Sequence, residues 1–162
     1  VVIQSLVEEI RATFRTQDIA NVLEKYLTRD DLLTPEQSEP DPNTYRQHIL
    51  HVEPDGSFSV TAVVWLPGQE TCIHDHVSWC VVGTHEGVEE ETRYRFVGGV
   101  LTEDGVSYNH AGTAVFLEPP GDIHSVRNSS STRVISIHIY GADVAALGSS
   151  IRRKYELPVR AG

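Results

Sequence analysis

The chain has 162 residues, with 23 Asp and Glu against 13 Lys and Arg, a formal net charge of −10 near neutral pH. A chain of about this length buries roughly 70% of the surface that its unfolded form exposes, enough for one core, so residues 1–162 are expected to form a single domain. The acidic balance argues against nucleic acid as a partner, the largest basic cluster being Arg152-Arg153-Lys154, and no apolar run approaches the ~18 residues of a membrane span.

Ile3, Leu6, Val7, Ile10 and Phe14 recur at helical spacing and predict a first helix with Phe14 on its apolar face. Glu8, Glu9 and Arg11 put charge where a signal peptide would be apolar, and Cys72 and Cys80 are too few for a disulfide framework, so a cytoplasmic location with reduced thiols is expected. Ile19, Val22, Leu23, Tyr26 and Leu27 predict a second helix. Thr28 to Asp31 has the spacing of a capping box with Asp in place of Glu, which predicts a last short turn through Leu32-Leu33 before Pro35. The polar stretch EQSEPDPNT is a connection, and residues 1–44 read as a helical segment.

From Tyr45 the texture changes to short runs of Val, Ile, Thr and aromatics, punctuated by Pro54-Asp55-Gly56, Pro67-Gly68, Gly98-Gly99, Glu103-Asp104-Gly105 and Pro119-Pro120-Gly121. The chain is thus expected to be mainly β, with residues 45–141 forming a small antiparallel barrel or jelly roll. Glu89-Glu90-Glu91 reads as a solvated strand or turn. In the tail, residues 142–162, the run Ile151-Arg152-Arg153-Lys154-Tyr155 predicts a short helix over one end of the barrel.

The chemistry concentrates in His74-Asp75-His76. On a strand, alternation points His74 and His76 to one face and Asp75 to the other, which brings two imidazoles together if that face is interior. The segment GQETCIHDH, Gly68 to His76, has the spacing of the first cupin motif. GTAVFLEPPGDIHSVRN, Gly112 to Asn128, resembles the second, one residue longer than the common pattern between Gly112 and Pro119, with His124 as the further ligand. Where that pattern places a glutamate ligand, this chain has Cys80. Three neutral imidazoles would leave a divalent ion with its full charge and about three open positions. Near the end of the barrel, Ser136-Ile137-His138-Ile139-Tyr140 places Ser136, His138 and Tyr140 on one face of a strand.

Taken together, these motifs resemble the thiol dioxygenases of the cupin superfamily, typified by the cysteine dioxygenase type I family, from about Tyr45 to Tyr140. The resemblance is to a bacterial branch near the 3-mercaptopropionate dioxygenases. It implies a cupin jelly-roll barrel preceded by helices, Fe2+ held by His74, His76 and His124, and a relay of Ser136, His138 and Tyr140 beside it. It also implies a small thiol and O2 as substrates in a monomer or small homo-oligomer. Cys80 aligns with the cysteine that some members crosslink to the relay tyrosine. The loop before it is one residue shorter than in the mammalian-type pattern and carries Trp79, which implies mostly uncrosslinked protein and makes Trp79 a candidate substrate-binding residue.

A substrate carboxylate calls for an arginine, whose planar guanidinium grips both oxygens. By resemblance to cysteine dioxygenases, that arginine is Arg46 beside Tyr45. Relatives acting on 3-mercaptopropionate place theirs nine residues beyond the relay tyrosine, where this chain has Ser149 and, three residues later, Arg152. His48, His51, His85 and His110 read as surface or hydrogen-bonded histidines. The leading expectation is oxidation of L-cysteine to cysteine sulfinate. A mercapto-acid such as 3-mercaptopropionate is the alternative substrate, and a metal-binding cupin sensor without catalysis the alternative class.

Overall fold

The computed structural model describes residues 2–162. The two apolar periodicities form helices α1 (Val2–Ala12) and α2 (Ile19–Leu27), which bury Leu6, Val7 and Ile10 from one and Ile19, Leu23 and Leu27 from the other. Phe14 departs from the expected face: it lies beyond the end of α1 and is 99% exposed. Thr13 Oγ1 donates back to the Glu9 carbonyl at 2.7 Å and the chain bends into a 3-10 turn at Thr16–Asp18, so helical spacing no longer governs where Phe14 points. Nor does a helical turn begin at Thr28, which caps the C-terminus of α2. The chain instead makes one hydrogen-bonded turn, with Leu32 N–H donating to the Arg29 carbonyl at 3.2 Å, before a 3-10 turn at Glu36–Ser38 inside the connection.

The strands are β1 (Arg46–Val52), β2 (Ser59–Trp65), β3 (His74–His76), β4 (Cys80–Glu86), β5 (Val88–Val97), β6 (Val100–His110), β7 (Ala114–Leu117), β8 (His124–Arg127) and β9 (Val134–Tyr140). A short helix α3 (Val144–Leu147) leads to β10 (Ile151–Lys154) and β11 (Val159–Arg160). They form two sheets, ordered β1-β2-β9-β4-β7 and β10-β3-β8-β5-β6-β11, that curl around one interior as the cupin jelly roll. Every residue of β2 and β9 is buried because both faces are covered. Val60, Ala62, Ile137 and Ile139 pack outward under α1 and α2, whereas Val63, Trp65, His138 and Tyr140 face the interior.

Two segments differ from expectation for tertiary reasons. Glu103-Asp104-Gly105 makes no hairpin: it lies within β6, where the register with β5 slips between Arg93 and Tyr94 and the extra residue is absorbed as a bulge. Ile151–Lys154 is a strand rather than a helix. It completes the open edge of β3, with Ile151 opposite His76 and Lys154 opposite His74. The clamp is Asp75, 4% exposed, which accepts from Arg152 Nε at 3.0 Å and from the Tyr155 hydroxyl at 2.8 Å.

Candidate active site

His74 and His76 point inward from β3, and His124 joins them because β8 runs antiparallel beside β3 with His74 opposite His124. The ring centroids lie 4.8–5.0 Å apart and the candidate ligand nitrogens fall within 4.8 Å of one another, so the cluster fits a metal ion. Each Nδ1 is already engaged. That of His74 meets the Cys72 carbonyl at 2.8 Å, that of His76 meets Asp122 Oδ2 at 2.9 Å, and that of His124 meets Glu91 Oε2 at 2.7 Å. With Nδ1–H donating to these acceptors, each Nε2 keeps its lone pair for the centre of the cluster, the arrangement that orients imidazole ligands toward a metal.

Burial, then repulsion from His124, lowers the pKa of His74 to about 3. For Glu91, burial works upward, but the hydrogen bond and charge of His124 outweigh it and hold the carboxyl below its ordinary value. His76 does the same for Asp122. Neither carboxylate was singled out from sequence. Glu91 belongs to the run read as solvated, yet Glu89 and Glu91 are 1% and 4% exposed because β5 lies between β8 and β6 with one face inside the barrel. The signal available was the alternation itself, which puts Glu89 and Glu91 on one face and Glu90 on the other.

Across the interior, β9 presents the second constellation. His138 Nδ1 lies 2.9 Å from the Tyr140 hydroxyl and Nε2 lies 2.9 Å from Ser136 Oγ, which accepts from Trp65 Nε1 at 3.2 Å. An indole N–H can only donate, so the network is satisfied when Ser136 donates to His138 Nε2, His138 Nδ1–H donates to the Tyr140 oxygen, and the Tyr140 proton is left for the interior. Burial, then the neighbouring imidazoles, lowers His138 to about 3, so the ring is neutral at ordinary pH. Burial likewise raises the Tyr140 phenol, and it stays protonated.

One cavity of about 180 Å³ joins the two constellations. Its lining includes the three histidines, His138 and Tyr140, the apolar Val63, Trp65, Val126 and Ile151, and the neutral polar side chains of Tyr45, Gln47, Thr71, Ser149 and Ser150. Gln47, Ser149 and Ser150 were not picked out as site residues. Among the described residues, no Arg or Lys lines the cavity.

Two substrate-side expectations, those for Arg46 and Trp79, therefore need correction. Arg46 stands opposite Val64, on the outward parity of β2, whereas Gln47 stands opposite the inward Val63. The Arg46 side chain is 44% exposed, 3.6 Å from Glu39. Arg152 is committed to Asp75, on the face of β3 away from the histidines. Trp79 packs on the helical side, against Phe116 and Gly141, and does not line the cavity. Cys80 stands directly opposite Tyr140 on neighbouring strands, both buried in one cluster, and burial raises its thiol well above the ordinary range. His48, His51 and His85 bond to the Glu39 carbonyl, Glu53 and the Leu27 carbonyl, and His110 is exposed, so all four lie outside the cluster.

The fold is of the double-stranded β-helix class. The structure is similar to that of TT1209 from Thermus thermophilus, with 21% identity over 66% of this chain and 91% of that one and a TM-score of 0.51. It is also similar to an uncharacterized conserved protein with a double-stranded β-helix domain from Klebsiella pneumoniae, with 18% identity, coverage of 71% and 92%, and a TM-score of 0.50. Oxalate decarboxylase from Bacillus subtilis, as an S161A mutant, shares 17% identity over 67% of this chain and 29% of its own, with a TM-score of 0.51. Within that class the sequence is specific. Residues 3–147 match the family described as cysteine dioxygenase type I, and the chain belongs to it. No helix among the described residues is long and apolar enough to cross a membrane.

Proposed function

We propose that the protein is a non-heme iron thiol dioxygenase that adds both atoms of O2 to the sulfur of a small thiol. The observation that carries this reading is the single cavity lined both by the three convergent imidazoles and by the hydroxyl end of the Ser136–His138–Tyr140 chain. His74, His76 and His124 would hold Fe2+ through Nε2. When bound, the ion supplies positions at which a thiolate and O2 can meet and exchange electrons. The overall change is R–SH + O2 → R–SO2⁻ + H⁺: sulfur loses four electrons, O2 takes all four, and both oxygen atoms remain in the sulfinate, so no further reductant is needed.

The chain's own residues bind, orient and exclude water. Tyr140 directs a preorganised O–H toward the place where negative charge gathers on oxygen, and the neutral His138, fixed by Ser136 and Trp65, keeps that phenol oriented. Val63, Trp65 and Val126 give the cavity an apolar wall that strengthens this bond. By family likeness the first candidate substrates are L-cysteine, giving cysteine sulfinate, and 3-mercaptopropionate. Arg46, the expected grip for cysteine, lies outside the cavity.

The test is oxygen uptake by iron-loaded protein across a panel of thiols, with isotopically labelled O2 and mass analysis of the product. Two labelled oxygens per sulfinate are expected. Tyr140→Phe should retain iron and lose about 10²–10³-fold in kcat, the usual cost of removing a preorganised donor. No uptake with any thiol, or wild-type turnover in the phenylalanine variant, would overturn the reading and favour a metal-binding cupin without catalysis.

A further inference from the structure

The cavity is unusual in the charge that it offers a ligand. A carboxylate brought into a small, partly apolar cavity needs a cation or several charge-assisted donors, because desolvation is otherwise uncompensated. Among the described residues no arginine lines the cavity, and those on nearby strands are engaged elsewhere: Arg46 lies 3.6 Å from Glu39, Arg152 pairs with Asp75, Arg93 with Ser107, and Arg127 with Glu90. The fixed charges nearest the histidines are the carboxylates of Glu91 and Asp122, which hold His124 and His76. Two such carboxylates already offset a divalent ion, so a thiolate that also carried a carboxylate would bring a second anion to a site with no side-chain cation to receive it.

Part of the cavity lining is instead neutral and hydrogen-bonding. Gln47 enters from β1, and Ser149 and Ser150 enter from the loop between α3 and β10. Amide and hydroxyl groups both donate and accept, which suits a hydroxyl or an amine. The volume of about 180 Å³ admits a molecule of a few heavy atoms beyond the sulfur. We propose that the substrate is a small carboxylate-free thiol, a hydroxythiol or aminothiol, with its far end between Gln47 and Ser149. This rests on the dioxygenase reading above and narrows it.

Four thiols of similar size discriminate: 2-mercaptoethanol and cysteamine against 3-mercaptopropionate and L-cysteine. Oxygen uptake by iron-loaded protein gives kcat/KM for each, and calorimetric titration of redox-inert, zinc-loaded protein gives binding without turnover. The better carboxylate-free thiol is expected to exceed both carboxylate thiols by at least tenfold in kcat/KM, with the same order in binding. Any smaller margin overturns the inference while leaving the dioxygenase reading intact, whereas no uptake with any of the four overturns both. Ser149→Arg would put a guanidinium at the far end and should raise kcat/KM for 3-mercaptopropionate at least tenfold with no gain for 2-mercaptoethanol. A folded, metal-binding variant that keeps the wild-type preference overturns the placement of the far end at Ser149.

Discussion

Glu89 carries a carboxyl that is 1% exposed and whose two oxygens complete no hydrogen bond. Burial, then the charge of Glu91, raises its pKa to about 7, although Ser136 and Asn109 approach closely enough to pull it part of the way down. The folded chain therefore holds this proton between pH 4.5 and 7 where the unfolded chain releases it. Stability from this group is greatest below that window, falls as pH rises through it, and is fully lost above about 7. The gap between the two pKa values corresponds to roughly 3 kcal/mol. Glu89→Gln removes the titration and keeps the shape, so its stability relative to wild type should rise by roughly 2–3 kcal/mol between pH 5 and pH 8, read from urea unfolding at both values. A difference that does not change with pH would show that Glu89 ionises without cost in the folded chain. Gln47 likewise faces the cavity and Arg46 does not because neighbours on a strand point to opposite faces.

Among the elements, α2 shows how the helical layer fixes the barrel wall. Its Leu23 and Leu27, both fully buried, lie so close to β4 that a Cβ on Gly83 would fall 2.6 Å from Leu23 Cδ2 and 2.8 Å from Leu27 Cδ1. Gly83 is thus needed for close approach, not for a turn. Gly83→Ala should destabilise by about 1–3 kcal/mol through overpacking. In the Leu23→Ala background the same change should cost at least 1 kcal/mol less, since the two side chains share one space. Additive losses in denaturant unfolding would mean that β4 can shift without strain. The other telling element is β10. From sequence it reads as a helix cap, but its pairing with β3 and the Arg152–Asp75–Tyr155 clamp tie the tail directly to the strand that carries His74 and His76.

For the whole molecule, the histidine cluster sits between the sheets, and its three residues come from only two neighbouring strands, β3 and β8. The outer core under α1 and α2 is built from other residues, so metal-free protein should remain folded. An ion bound only to the folded state at 100 times its Kd should add about 2.7 kcal/mol and raise Tm accordingly. His124→Ala, by deleting one ligand, should abolish most of that metal-dependent rise in scanning calorimetry while retaining a cooperative transition. A metal-dependent rise of wild-type size in the variant would place the ion elsewhere.

What the sequence determined by itself was local. The spacing of His74 with His76, and of Ser136 with His138 and Tyr140, puts each set on one face, because the two-residue period of a strand needs no knowledge of its neighbours. The two amphipathic helices and the mainly β character followed from equally local periods, and the ordered motifs pointed to the family. Tertiary structure alone decided the rest. The register of β1 on β2 turned Arg46 outward, the burial of β5 between β8 and β6 carried Glu89 and Glu91 inside, and the open edge of β3 made a strand of residues 151–154. Each of these depends on which distant segment lies alongside. A one-residue difference in that pairing exchanges the two faces of a strand.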